Sequence, residues 1–245
     1  MTRRATKIKE IRSQQPNVLL LDAGDSIIST EEGYDPSLQA KQSVEAMNLM
    51  GYDAMALGLG DMKLGVAVMK EWMKAAKFPF LSANLKIDGK DDLVGQPFVI
   101  RAIGGHRIAI VGLTEAGKAN GVVASDPIAA AKRIVAEVSR DADIVIVLTH
   151  ASVDVAQKIG DIPGIDLIVC GGDQTIANGQ PTAGGALLVH ADVPAPGHAG
   201  RNMGVVHLGF DSTSKMTEQA SDVIPIVETL PEDPDMLVWY QKITG

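Results

Sequence analysis

The chain has a single cysteine, Cys170, in 245 residues. That excludes an internal disulfide and any cysteine-built zinc or haem motif. No apolar run in the sequence reaches the ~18 residues that a membrane-spanning helix needs. Aromatic residues make up only 4%, so few rings are available to stack on a base. Trp72 and Trp239 fall in helical segments, where core packing is the expected use. Positive charge is in deficit. A formal net charge of −8 argues against a nucleic-acid or acidic-membrane surface, both of which need a basic face. It leaves phosphorylated small molecules open, because a metal or a few local cations override the global sign. The first ten residues are basic but no apolar core follows them, so they do not form a secretory signal. The chain as written is expected in the cytoplasm, or in the periplasm or outside the cell if a signal sequence precedes it. No repeat, low-complexity tract or linker interrupts the sequence, which predicts one domain over residues 1–245.

What is present is an ordinary soluble composition, 46% apolar and 21% charged. A chain of this length can bury roughly 70–75% of its unfolded surface. Residues 18–25, Val-Leu-Leu-Leu-Asp-Ala-Gly-Asp, are the stretch around which the rest is organised. Four successive apolar residues are too few for a helix and suit a strand buried on both faces. Helices are predicted over residues 2–15, 36–50 (with Leu38, Val44, Met47 and Leu49 inward), 66–76, 127–140, 153–159 and 234–243. Strands are predicted over 53–57, 78–81, 98–103, 107–111, 144–148, 167–169, 186–189, 204–210 and 223–227. Gly104-Gly105 marks a hairpin turn between two of them. Early alternation of strand and helix, followed by closely paired strands, predicts an α/β core with antiparallel additions.

Several apolar strands end in polar groups: Asp22 and Asp25, Asp61, Asn84, Thr149-His150, and Asp173-Gln174. In an open α/β sheet the carboxyl ends of the strands face the ligand crevice. Carboxylate, amide and imidazole gathered there are what a hydrolytic two-metal site needs, because hard oxygens and neutral imidazoles hold divalent ions that activate water. The structural alternative stands beside this for each residue. A strand-end Asp caps a turn, and a lone His packs in a core or on a surface. His190, His198 and His207 lie in the later strands and in the Pro/Gly-rich loop 192–200, which reads as a surface excursion or a contact element of low entropic cost.

The order of segments resembles the catalytic domain of the 5′-nucleotidase family of calcineurin-like metallophosphoesterases. The resemblance rests on residues 18–25, on Gly-Tyr-Asp-Ala-Met-Ala-Leu-Gly at 51–58, and on Phe-Pro-Phe-Leu-Ser-Ala-Asn-Leu at 78–85. It rests also on Ile-Ala-Ile-Val-Gly-Leu-Thr at 108–114, Ile-Val-Ile-Val-Leu-Thr-His at 144–150 and Pro-Gly-Ile-Asp-Leu-Ile-Val at 163–169. It implies an α/β fold, a sandwich of two mixed sheets flanked by helices, with a dinuclear metal site at the strand ends.

The same resemblance implies that the chemistry has decayed. The family's opening strand, which carries Asp-x-His, has no counterpart in these residues. The bridging Asp matches Asp25 and the later His matches His150. The Gly-Asn-His-Glu motif reads Gly58-Leu59-Gly60-Asp61, and Gly-His-x-His reads Gly171-Gly172-Asp173-Gln174. Asp25 and His150 are therefore the remnant metal ligands, with Asp61 and Asp173 as substitutes and Asn84 as a substrate contact. The expectation is a non-catalytic protein with a binding, assembly or regulatory role as a subunit, needing no cofactor. The alternative is a hydrolase of nucleotides or other phosphate esters with a rebuilt site for Mn, Mg, Ca or Zn. Without the opening strand, the apolar edge from Val18 to Leu21 calls for cover by another protein chain or a second copy. Residues 231–245 resemble the segment that leads into the family's C-terminal domain.

Overall fold

The computed structural model describes residues 1–28, 35–172, 179–190 and 201–244. The chain begins with α1 (Thr2–Gln14), β1 (Leu21–Asp22), α2 (Pro36–Met50) and β2 (Ala54–Ala56). A 3₁₀ turn (Gly60–Leu64) leads into α3 (Gly65–Ala75). Then come β3 (Phe80–Leu81), β4 (Leu85–Ile87), β5 (Phe98–Ile103), β6 (His106–Thr114), β7 (Gly117–Ala119) and β8 (Val122–Ala124). The second half holds α4 (Pro127–Val138), β9 (Ile144–His150), α5 (Val153–Gly160), β10 (Leu167–Gly171), β11 (Gln180–Pro181) and β12 (Leu187–His190). It closes with β13 (Asn202–Phe210), β14 (Met216–Pro225) and α6 (Pro234–Thr244).

One local device starts three of the helices. Asp35-Pro36, Asp126-Pro127 and Asp233-Pro234 each place a carboxylate at the cap and a proline at the first helical position. The Asp35 carboxylate accepts from the Ser37 N–H at 2.8 Å, Asp126 from Ile128 at 2.9 Å and Asp233 from Met236 at 3.0 Å. Proline gives up no bond there, since the first N–H groups of a helix have no partner within it. Gly104 and Gly105, at φ of 60° and 87°, make the two-residue turn joining β5 to β6. Its hand matches the strand twist only when both residues are left-handed.

The main sheet has the order β11-β12-β10-β9-β6-β5. The four central strands are parallel and the two outer ones antiparallel. Its strands alternate strictly. Ala109, Val111, Val145, Val147, Ile168 and Leu188 face Ile134, Val135, Val138 and Ile159 of α4 and α5. Ile110, Ile144, Ile146, Leu148, Leu167 and Leu187 face the other way, toward Ala54 and Ala56 of β2 and Leu81 of β3. The parallel sheet β1-β2-β3 therefore packs on this second face. Two antiparallel sheets, β4-β8-β7 and the ribbon β13-β14, complete the structure. A third core joins α1, α2, α3 and α6 to the far side of β2 and β3 through Ile8, Val44, Met47, Met55, Phe80 and Met236. Lys9 bridges Asp233 at 2.6 Å and so ties α1 to the start of α6.

Most predicted elements form, and the differences have physical reasons. Only Leu21–Asp22 of the organising stretch makes a ladder, with β2, and residues 18–22 are all half-exposed rather than buried on both faces. The edge from Val18 to Leu21 borders an open groove, so nothing covers one side of it among the described residues. Leu38 and Leu49, expected inward on α2, are each 51% exposed, because the helix buries Ala40, Val44, Ala46, Met47 and Met50 instead. The three-residue strands β4, β7 and β8 carry too few residues for any period to register. β14 starts well before the predicted Val223, and its polar, largely exposed face gives no alternating signal.

Candidate functional site

The carboxyl end of β1 runs into a tight turn. The Asp22 carboxylate accepts from the Gly24 N–H at 2.9 Å and from the Ser26 hydroxyl at 2.7 Å. This is the turn-capping use of a strand-end Asp. Burial pushes the Asp22 pKa up, against the Ser26 and Gly24 hydrogen bonds and the nearby Arg4 charge. Beyond it, Asp25 sits at φ 54°, a left-handed conformation that Asp tolerates better than most side chains.

Asp25 is held there by a reciprocal clasp with the 3₁₀ turn. Its own N–H donates to Asp61 Oδ2 at 2.9 Å, while the Asp61 N–H donates to Asp25 Oδ1 at 3.0 Å. Asp61 Oδ2 also accepts from the Gly58 N–H at 2.9 Å. Glycine is required on this loop. A Cβ at Gly58 would overlap the Asp25 carboxylate, and one at Gly60 would lie 2.9 Å from it. Asp61 is 1% exposed. Burial, then the Asp25 charge, raises its pKa well above the ordinary carboxylate range, opposed by the donated N–H groups of Gly58 and Asp25.

His150 ends β9 and reaches the same point. Its Nδ1 lies 3.2 Å from Asp25 Oδ2, and both side chains are about one-quarter exposed, at 26% and 24%. The structure thus brings Asp25, Asp61 and His150 together, but in two different roles. Asp25 and His150 face the groove. Asp61 faces the backbone, its oxygens already engaged by N–H groups.

The other expected site residues lie elsewhere. Asn84 is 1% exposed. Its amide donates to the carbonyls of Thr114 and Ser125, each at 2.7 Å, and its oxygen accepts from the Thr114 N–H at 2.9 Å. The Ser82 hydroxyl adds a fourth bond at 3.3 Å, so the side chain is fully engaged in joining β6 to the β3–β4 connection. His190 is buried with Nε2 3.1 Å from the Gly172 carbonyl, and His207 is exposed on β13. Asp173, Gln174, His198 and the 192–200 loop lie outside the described residues. The Cys170 thiol is buried against the Ala151 carbonyl, and burial pushes its pKa up to about 11, which keeps it a neutral, unreactive thiol. Trp239 donates its indole N–H to Glu45 at 3.2 Å, tying α6 to α2.

Two donors 3.2 Å apart match one edge of an octahedral ligand set, since metal–oxygen distances of ~2.1 Å at right angles put neighbouring ligands about 3 Å apart. A pair of ions needs several more ligands. Among the described residues no group of three or more His, Cys, Asp or Glu converges to hold a metal ion. The described donor set therefore does not fit a dinuclear centre. No helix among these residues is long and apolar enough to cross a membrane.

Comparison with known proteins places this geometry. No model of a protein family matches the sequence. The snake venom 5′-nucleotidase of Gloydius brevicauda is 30% identical over 271 residues, which span 99% of this chain and 45% of that protein. The bovine 5′-nucleotidase is 29% identical over 273 residues, 99% of this chain and 47% of that one. The chain thus spans about half the length of the curated relatives it matches. Among solved structures, a 5′-nucleotidase precursor from Thermus thermophilus superposes with a TM-score of 0.81 at 23% identity, covering 99% of this chain and 53% of that one. The calcineurin-like phosphoesterase YfkN from Bacillus subtilis superposes with a TM-score of 0.78 at 19% identity, covering 99% and 87%.

Proposed function

The chain belongs to the 5′-nucleotidase family of calcineurin-like metallophosphoesterases, and from that premise we propose that it is a degenerate member. On this reading it does not hydrolyse phosphate esters with its own residues, and it serves as a binding, assembly or regulatory subunit. The observation that carries the reading is the state of Asp61. The carboxylate of Asp61, clasped to Asp25, has its Oδ2 occupied by the N–H groups of Asp25 and Gly58, its Oδ1 3.5 Å from the Ile27 N–H, and is 1% exposed. Turning it outward to a metal would leave those buried donors unpaired, at about 1–3 kcal/mol each. Leu59 stands where the family places an Asn ligand, and an apolar side chain is a poor neighbour for a hydrated ion.

One observation favours a second reading. The Asp25–His150 spacing of 3.2 Å suits two ligands of one ion. A metal-dependent hydrolase of nucleotides or other phosphate esters would use that edge, completed by groups from beyond the described residues. Such an ion would supply a bound water of lowered pKa. Asp25 and His150 would hold it, and Asp61 would keep Asp25 in place.

Metal analysis of the purified protein separates the two readings, combined with hydrolysis of an aryl phosphate with and without Mn²⁺. The subunit reading expects no metal-dependent turnover. Turnover that needs Mn²⁺ and disappears in both Asp25→Asn and His150→Ala establishes the hydrolase instead.

A further inference from the structure

β5 is the last strand in the order of the main sheet, and among the described residues no strand lies beyond it. Its sequence, Phe-Val-Ile-Arg-Ala-Ile, is mostly β-branched and aromatic, yet none of its residues is fully buried. Phe98 and Ile100 pack in part against the core under α4 and α5, and Val99 and Ile103 against the opposite core. The pairing of β5 with β6 has no bulge. The strand contains no proline, and Arg101 is its only charge. Bulges, prolines and clustered charges are the devices that keep a sheet edge from pairing, and this edge has a single charge in their place.

Backbone alternation fixes what this edge offers. The Gly112 N–H donates to the Pro97 C=O at 3.3 Å, which turns Pro97 toward β6. Every second residue turns the same way, so Val99, Arg101 and Ile103 also face β6. Phe98, Ile100 and Ala102 therefore turn their N–H and C=O groups outward. The far side of β6 agrees. Ala102 lies opposite Arg107, and the Arg107 C=O accepts from the Asp143 N–H at 2.7 Å, away from β5. Among the described residues nothing bonds to the outward groups of Phe98, Ile100 and Ala102.

Water satisfies these groups in a lone chain, whereas an added strand satisfies them and covers the half-buried side chains too. We propose that β5 pairs antiparallel with β5 of a second copy, about a two-fold axis at Ile100. Three features select this occupant. With Ile100 opposite Ile100, Phe98 falls opposite Ala102, and every outward group of both copies finds a partner. A slip by two residues leaves some of them unpaired. On the side of α4 and α5, the large Phe98 ring then meets the small Ala102 side chain at both ends of the axis. Charge agrees as well. Each copy carries a net charge of −8, and the one charged residue of the edge is cationic. Each Arg101 lies opposite Val99 of the other copy and within that copy's negative field. The two main sheets run on as one, through an isologous interface that closes on itself. The pairing does not depend on whether Asp25 and His150 hold a metal.

Sedimentation velocity of the full chain over a concentration series tests this. One short strand pair is a small interface, so a dimer with Kd on the order of 10–100 μM is expected. Hydrogen-exchange protection of Phe98, Ile100 and Ala102 should rise with concentration. Ala102→Pro removes an outward N–H from each copy and spares the β5–β6 ladder. It should weaken dimerisation at least ~10-fold and leave the melting temperature of the dilute monomer unchanged. Cross-linking reads the register. In a Cys170→Ala background, Ile100→Cys sets two thiols opposite each other with Cα atoms ~5.5 Å apart, and oxidised glutathione should join them. Ala102→Cys sets its two Cα atoms ~14 Å apart, beyond the reach of a disulfide. A chain still monomeric at ~500 μM, well above the expected Kd, overturns the inference. So does a dimer that Ala102→Pro leaves unchanged, or one that protects Val206 and Leu208 instead. Cross-linking of Ala102→Cys as fast as that of Ile100→Cys overturns it also.

Discussion

The two faces of the main sheet carry the same kinds of residue and meet different fates. On the face under α4 and α5, Val147, Ile134, Ile159 and Ile168 are at most 1% exposed. On the other face, Ile110 and Leu148 are equally buried beneath β2 and β3, but Val169, Leu19, Leu21 and Val206 are only half-buried around the groove. Composition does not separate the two faces, and what lies across from each strand does. Helices close the first face completely because an amphipathic stripe spans several strands. The short sheet β1-β2-β3 covers only part of the second, and beside it Val169 stays half-buried where, among the described residues, β1 and β13 border a groove.

The sharpest way to break this comparison uses neighbours on one strand. Cys170 points to the helical face and Val169 to the groove. Alkylation of a thiol introduced by Val169→Cys in a Cys170→Ala background should run on the order of a thousandfold faster than alkylation of native Cys170, which must wait for opening of a buried face. Comparable rates would mean that the two faces are equally closed.

Stability tests follow. Ile134→Ala on the closed face should lower the unfolding free energy by about 3 kcal/mol, whereas Val206→Ala at the groove should lower it by less than ~1 kcal/mol, because little contact is lost where little was buried. Urea melts measure both. A Val206→Ala effect as large as that of Ile134→Ala would mean that the groove is a packed core.

A pH-dependent effect, smaller than that of Ile134→Ala, concerns the clasp at the groove's polar end. Asp61→Ala leaves the Gly58 and Asp25 N–H groups without their acceptor and should cost about 2 kcal/mol near pH 4. The folded-state pKa of Asp61 is raised. The native state therefore binds more protons than the unfolded state between the ordinary carboxylate value of ~3.9 and the raised value. The Asp61 contribution is full below that window and declines as pH rises through it. The gap between wild type and Asp61→Ala should thus be widest at acid pH and narrow toward neutrality. A gap that widens with pH would reverse the assignment and leave Asp61 stabilised as an anion.

Much of the architecture was legible residue by residue. The three Asp-Pro starts, the Gly104-Gly105 turn and the apolar runs at 108–114, 144–150 and 167–169 announce their own elements, because each works through neighbours in sequence. The candidate site was legible only in part. Asp25 and His150 could be picked out from their motifs, but Asp61 read equally well as a spare ligand. Its engagement depends on the Asp25 and Gly58 N–H groups, one of them 36 residues away. Asn84 likewise looked like a strand-end contact until its four hydrogen bonds placed it inside the protein.

By itself the sequence determined the family, the alternating strands of the main sheet and the choice of Asp25 and His150 as the pair that meets at the groove, since local periodicity and motif spacing encode these. Only the tertiary structure decided that Asp61 closes on the backbone, that residues 18–22 stand half-exposed, and that the β1 and β13 edges share one trough. Those outcomes turn on which distant groups arrive within hydrogen-bonding or packing distance, and no local pattern carries that information.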